Sequence, residues 1–293
     1  MTERKKQANI LITGTSSGLG LESAILFAEH GYKVYATMRN LNKSKAIKDR
    51  ITDKMSIKIK QLDVTSSNAV NNVVHDIIEE DGAIDILLNN AGAGFAKTLE
   101  QTSEEEIDWM MDVNFKGAVR TTKAVLPYMR KKKAGHIINI SSVGGLVGQP
   151  FNELYCASKF ALEGFTESLA SYLSIPFNIN FSLIEPGGMR SEFMNTAVTK
   201  TINSDGAFAT GEYTPIFTQY FEGNKKRADS DEGRTYQSGR DVAKVILQVV
   251  ESDRPPLRIR TSDWGEKLCH IKTDADPDGL KLLDYVNNYF LNV

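Results

Sequence analysis

The chain has 293 residues, with 35 Lys plus Arg against 37 Asp plus Glu and a formal charge of -2. That balance argues against bulk nucleic-acid binding, and two cysteines, Cys156 and Cys269, are too few for a disulfide framework or a multi-cysteine zinc site. No apolar run approaches the roughly 18 residues of a membrane span, and the N-terminus has no leader-like apolar stretch. The expectation is a cytoplasmic protein with no nucleic-acid or membrane partner and no bound metal.

Apolar runs and amphipathic segments alternate from the start. Residues 9–13 (NILIT) read as a buried strand, 18–30 as a helix with Gly31 just past its end, and 33–38 (KVYATM) as a second strand. A third strand is expected over 56–62, a helix over 68–80 and a fourth strand over 84–89. Ser103 and Glu106 open a long helical stretch as a capping box. That stretch runs towards Lys133 with a break or kink. Its basic end, Arg130 to Lys133, suits the negative pole of a helix. Strands over 136–140 and 178–184 flank a long helix over 152–174. Helices are expected again over 240–251 and 280–291. Strands separated by helices imply βαβ units, a parallel sheet covered on both faces, and right-handed crossovers. The fold class is α/β, a Rossmann-like doubly wound sheet in a single domain over 1–293, with a C-terminal extension over 252–293.

Strand one runs into Thr13-Gly14-Thr15-Ser16-Ser17-Gly18-Leu19-Gly20 and then a helix. Glycines at such a turn let the backbone approach a pyrophosphate, and the helix N-terminus offers free N–H groups and a positive dipole end. Tyr155 and Lys159 stand four apart in a helical stretch and so share a face. A free tyrosine titrates near pH ~10, too high for an efficient base at neutral pH, and a neighbouring ammonium favours its phenolate. Ser141 and Ser142 lie just beyond strand five, at the ligand edge of a parallel sheet.

TGTSSGLG, Asn89-Asn90-Ala91-Gly92, Tyr155-Cys156-Ala157-Ser158-Lys159 and Pro186-Gly187, in this order, resemble the motifs of classical short-chain dehydrogenases/reductases over about residues 8–250. The resemblance implies a nicotinamide dinucleotide as cofactor, taken as NADP (NADPH) from the residues at the end of strand two, and a small-molecule carbonyl or alcohol as substrate. Tyr155 then acts as general acid/base. Lys159 lowers its pKa and bonds the nicotinamide ribose. Ser142, thirteen residues before the tyrosine, orients the oxygen, and Asn114 completes a proton relay. Gly14, Ser16, Ser17, Gly18, Leu19 and Gly20 form the cofactor loop. Asp63 and Val64 are placed at the adenine, Asn90, Ala91 and Gly92 along the ribose side, and Gly187, Met189 and Ser191 by the carboxamide. Ser191 stands where the family often has Thr. The family's usual homodimers or homotetramers pair through long helices.

The end of strand two distinguishes the cofactors. NAD-preferring folds usually place an acid there. Here Met38 occupies the position, and Arg39 after it suits a 2′-phosphate. The segment over 189–236 is longer than a connection needs and follows strand six at the ligand edge. Its Phe193, Met194, Phe208, Tyr213, Ile216, Phe217, Tyr220 and Phe221 suggest a substrate lid with a short amphipathic helix and a mainly apolar substrate. The four histidines have no ligand or triad spacing, Cys156 reads as packing, and neither a Gly-x-Ser-x-Gly elbow nor a P-loop occurs. Two rivals remain: an NADP-binding regulator on the same fold, and another Rossmann enzyme such as a methyltransferase, which would not need the Tyr–Lys pair.

Overall fold

The computed structural model describes residues 7–190, 211–229, 236–281 and 284. Six strands come in the expected places: β1 Asn9–Thr13, β2 Lys33–Met38, β3 Ser56–Gln61, β4 Ile86–Asn89, β5 Gly135–Ile140 and β6 Ile179–Glu185. The helices are α1 Gly18–Glu29, α2 Lys45–Lys48, α3 Ser67–Asp81, α4 Glu104–Met111, α5 Gly117–Lys132, α6 Glu153–Phe177, α7 Thr214–Asp229, α8 Gly239–Glu251 and α9 Asp263–Thr273. A small pair, β7 Met189–Arg190 with β8 Gln237–Ser238, stands apart, and β9 Arg258–Arg260 closes the main sheet. That sheet is parallel throughout, in the order β3-β2-β1-β4-β5-β6-β9. The chain reverses its direction of growth between β1 and β4. This switch point is where an open α/β sheet leaves a crevice for ligands.

Period-two alternation assigns each strand residue to a face. Ile10 and Ile12 of β1 join Leu26 and Phe27 of α1 and Ile246 of α8 in one core layer. Leu11 between them joins Val74 of α3, Val125 of α5 and Leu173 of α6 in the other. Helices on both faces thus bury a central strand completely.

Local signals place the helix ends. Gly31, at φ +84°, follows α1, and the Ser103–Glu106 capping box is formed at α4. The expected break in the long helix is a π turn over Asp112–Lys116, between α4 and α5. The basic run ends α5, with Lys133 in the left-handed region at φ +53°.

Two elements of the C-terminal extension, the strand β9 and the helix α9, lie outside the expected elements. β9 pairs with β6, and α9 follows it, with Ser262 Oγ accepting from Gly265 N at 3.1 Å as its cap. The sequence Arg-Ile-Arg hides this strand because its arginines look solvent-bound. They are buried only because β6 and α6 supply carboxylates. Of the helix expected over 280–291, only residues 280, 281 and 284 are described. No helix among the described residues is long and apolar enough to cross a membrane.

His136 on β5 shows what burial costs. Its imidazole is 6% exposed and lies 2.9 Å from Ser182 Oγ. Ser182 donates its own proton to Pro256 O at 2.8 Å, so His136 Nε2–H is the donor to Ser182. Desolvation pushes its pKa from 6.5 down to about 4. The unfolded chain then binds the proton first, so stability that is complete above pH 6.5 is lost as pH falls through about 4. This one group accounts for about 3 kcal/mol. Urea midpoints measured from pH 7 to pH 4 should fall less steeply in His136→Asn than in the native chain.

Candidate active site

At the switch point, the end of β1 and the segment after β4 are clasped together. Thr13 Oγ1 accepts from Asn90 N at 3.1 Å and from Ala91 N at 3.0 Å. Asn90 Nδ2 donates back to Thr13 O at 2.9 Å and to Gly14 O at 3.0 Å. The turn that follows requires glycine twice over. Gly14 has φ +73°, and a Cβ there would lie 2.8 Å from Ala91 Cα. Gly20 has no room either: a Cβ would lie 2.3 Å from Gly14 O and 2.4 Å from Asn90 Nδ2.

The result is a tight loop that delivers α1 with an open N-terminus. Ser17 makes no side-chain cap, so the first-turn N–H groups face the crevice beside Ser16, Gly18 and Leu19. This cradle fits the pyrophosphate of a dinucleotide. Other expected contacts stand on the same edge of the sheet. Arg39 is exposed just past β2, after a buried Met38. Asp63 Oδ1 is engaged by Thr65 N at 3.0 Å and Thr65 Oγ1 at 2.7 Å, which orients the carboxylate after β3. Val64 is buried, and a Cβ on Gly117 of α5 would come within 2.8 Å of it.

The reacting groups gather where β5 and α6 meet. Ser142 heads a short 3-10 turn over Val143–Gly145, where its Oγ accepts from Gly144 N at 3.0 Å. Its hydroxyl also hydrogen-bonds the Tyr155 phenol. Lys159 Nζ, one turn further along α6, lies 5.6 Å from the centre of the Tyr155 ring and donates to Ile140 O at 2.7 Å. Lys159 is 5% exposed, and burial brings its pKa down to about 8.

The expected lowering of the tyrosine pKa by this lysine is not what the structure displays. Desolvation dominates and pushes the Tyr155 phenol up to about 12, while the downward pull comes from Ser142. The phenol is therefore protonated at neutral pH. Cys156 is buried with Sγ 4.0 Å from Val147 O, and burial pushes its thiol up, consistent with packing.

Asn114 lies in the π turn and is 2% exposed. Its Oδ1 accepts from Ala93 N at 2.7 Å, and its Nδ2 donates to Ala93 O at 2.9 Å and to Ser158 Oγ at 3.1 Å. It clamps the segment after β4 to α6. A Cβ on Gly92 would lie 3.5 Å from Asn114 Oδ1 and 3.9 Å from Lys159 Nζ, so the clamp sits beside the lysine.

Beyond β6, Gly187 is held against Trp264 of α9, where a Cβ would meet the ring at 2.8 Å, and Met189 is half-buried in β7. Ser191 lies outside the described residues, as do Phe193, Met194, Phe208 and the Phe221 side chain. Next to Tyr155 a small cleft is lined by Phe95, Lys97, Leu99, Thr102, Phe151, Asn152, Glu153 and Leu154. Phe151, at φ +60°, packs its ring 4.8 Å from Phe217 and 5.7 Å from Tyr220 of α7. Of the expected lid helix, Phe217 is thus buried on this wall, while Ile216 is exposed.

Sequence reasoning missed the clasp by Thr13, the carbonyl of Ile140 and the backing by Trp264. Thr13 was within reach as the residue opening the glycine motif. Nothing local marks the other two.

The model of the short chain dehydrogenase family matches residues 8–202. The chain belongs to that family. It is 40% identical to retinol dehydrogenase 8 of Bos taurus over 92% of this chain and 86% of that protein. It is 38% identical to 3-ketodihydrosphingosine reductase of Bacteroides thetaiotaomicron, over 92% and 94%. Among solved structures, ElxO with NADP bound superposes with a TM-score of 0.70 at 27% identity, covering 87% of this chain and 98% of that one. A Burkholderia phymatum short-chain dehydrogenase/reductase in complex with NAD superposes at 0.75 with 20% identity, over 94% and 95%, a likeness of fold. In this short-chain dehydrogenase the cradle makes a direct demand on position 20. Gly20→Ala should weaken binding of a reduced nicotinamide dinucleotide by more than tenfold, because the methyl meets the Gly14 carbonyl of a backbone that cannot yield, and titration by nicotinamide fluorescence would measure it.

Proposed function

We propose that the protein transfers a hydride between NADP(H) and a carbonyl or secondary alcohol whose body is mainly apolar. The observation that carries this reading is the grouping of a protonated Tyr155, Ser142 and a dry Lys159 ammonium at the ligand edge of the sheet, across from the glycine cradle. Bound at that cradle, a nicotinamide dinucleotide supplies or accepts the hydride. The chain's own residues handle the oxygen. Ser142 orients it, and Tyr155 gives it a proton in reduction or takes one in oxidation. Lys159 keeps a positive charge beneath the ring, which favours the phenolate left behind. Asn114 holds the wall next to that lysine.

The apolar substrate is supported by Phe95, Leu99, Phe151 and Leu154, which form the apolar part of a small cleft beside Tyr155 whose other walls are Lys97, Thr102, Asn152 and Glu153. Apolar walls exclude water from the reacting centre. The relatives named for retinol and 3-ketodihydrosphingosine point the same way: each molecule carries its reacting oxygen on a long apolar body. Pairing into homodimers or homotetramers has exposed Tyr172 and Ile175 of α6 available to it.

A panel of carbonyls and alcohols, followed by NADPH absorbance, tests the reaction. Long or polycyclic apolar substrates should outperform polyhydroxylated ones. Tyr155→Phe should lose about 10²–10⁴-fold in turnover while its NADPH affinity stays close to that of the native chain. A protein that binds NADPH but turns over nothing is the regulator instead.

Cofactor choice rests on Arg39, since related folds hold either dinucleotide. A charge-assisted bond to the 2′-phosphate contributes about 1.5–3 kcal/mol. NADPH should therefore bind more tightly than NADH, and Arg39→Ala should reduce that preference by roughly tenfold or more. Equal dissociation constants for the two cofactors in the native chain would remove the assignment.

A further inference from the structure

Behind the reacting groups lies a second charged cluster that the proposed reaction does not use. Glu163 follows Lys159 by one turn of α6 and is 5% exposed. Glu185, at the end of β6, is fully buried, and Arg258 of β9 is 8% exposed. Arg258 Nε stands 3.8 Å from Glu163 Oε2 and 3.8 Å from Glu185 Oε1, too far for a hydrogen bond. The same arginine's terminal nitrogen goes instead to Glu167, on the rim. Further out, Arg260 divides itself between Glu185 at 3.4 Å and Glu266 at 2.7 Å. Among the described residues, no arginine hydrogen-bonds the Glu163 carboxylate; its near neighbours are the Ser141 hydroxyl and the Glu185 carboxyl.

A carboxylate left so weakly paired is a poor structural strut, because its desolvation is not repaid by the arginine. Its position answers a different need. Lys159 donates to Ile140 O at 2.7 Å. The next residue, Ser141, lies beside Glu163: a Cβ on Gly145 would meet Ser141 Oγ at 2.7 Å and Glu163 Oε1 at 3.0 Å. The carboxylate therefore approaches Gly145, in the turn headed by Ser142, together with the hydroxyl of Ser141, the residue that follows the Ile140 carbonyl holding the ammonium.

We infer that Glu163 is a positioning residue whose buried carboxylate, one helical turn behind Lys159 and only loosely met by Arg258, keeps the lysine in its ammonium form for the reaction. The inference rests on the hydride-transfer reading for its meaning. The charged and titratable groups facing Glu163 are Lys159 and Glu167 on its own helix, Glu185 on β6, Arg258 on β9 and Cys269 on α9. Of these, the two cationic groups are Lys159 and Arg258. Desolvation raises the Glu163 pKa, and the Ser141 hydroxyl, the Arg258 charge and the Glu185 carboxyl oppose it by favouring the carboxylate form. Its negative charge works against the burial that drags Lys159 down.

The direct test is the ¹⁵Nζ signal of Lys159, assigned by its loss in Lys159→Arg and followed against pH in the full chain. The midpoint should lie near pH 8 in the native protein and fall by about one pH unit in Glu163→Gln. Glu163→Asp should restore most of the difference. The high-pH limb of kcat for alcohol oxidation should move to lower pH with the same ordering, a shift that a purely structural role would not produce. Ser141→Ala, which removes a hydroxyl without burying anything new, should shift the midpoint the same way by less, and it decides the matter if Glu163→Gln does not fold. An unmoved lysine midpoint in an active, folded variant overturns the positioning role alone. Absence of turnover by the native chain on any carbonyl or alcohol overturns the hydride-transfer reading, whatever the lysine does.

Discussion

One ammonium held out of water sets the terms for the rest of this site. Lys159 has a single backbone carbonyl, Ile140 O, as its hydrogen-bond acceptor, and an aromatic face nearby. A buried cation in such surroundings tends to lose its proton. The structure around it resists that tendency without cancelling it. The helix carries an acid one turn on, the sheet ends beneath it in a carbonyl, and the phenol above it stays neutral until charge is needed. Much of the local architecture follows from this burial. The turn after β5 must be glycine-rich to let Glu163 and Ser141 approach, and α9 must press on the turn through Gly265, where a Cβ would come within 3.1 Å of Val143.

The cofactor half of the site depends on a different constraint, the close approach of two backbones at the switch point. Four hydrogen bonds cross the gap between the β1 end and the segment after β4, two between Thr13 and Asn90, one from Ala91 N to Thr13 and one from Asn90 to Gly14 O. Those bonds occupy the Asn90 amide nitrogen, and Ser17 separately leaves the N-terminus of α1 without a side-chain cap. Asn90 thus shapes the cradle from behind as well as lining it. The same logic applies to Asn114, whose side-chain oxygen and nitrogen both engage Ala93. Asn90, expected along the ribose side, and Asn114, expected in a proton relay, both brace the fold through their side-chain amides. They place N–H groups and walls with a precision that flexible side chains reaching for a ligand would not give.

The C-terminal extension has the largest gap between its appearance in sequence and its role in space. Arg258 and Arg260 bring two positive charges into the sheet, and Glu163, Glu185, Glu167 and Glu266 meet them from α6, β6 and α9. Trp264 covers Gly187 beside the expected carboxamide position. A segment remote in sequence from the cofactor motif thereby becomes the back wall of the site.

Local chemistry determined a good deal here before any fold was known. Hydrophobic periodicity placed six strands, because each alternates or runs apolar by itself. Turn and cap residues such as Gly31, Ser103 and Glu106 placed helix ends, because capping is settled within four residues. The four-residue spacing of Tyr155 and Lys159 put them on one face of α6 whatever surrounded it. Tertiary structure alone decided the rest. Arg258-Ile259-Arg260 is a strand only where buried acids await it, and no window of sequence contains those acids. Desolvation raised the Tyr155 pKa instead of the lysine lowering it, because burial is a property of everything packed around a group. The pairing of Thr13 with Asn90 and of Lys159 with Ile140 likewise exists only after β1, β4, β5 and α6 have met, since complementarity between distant segments has no local signature.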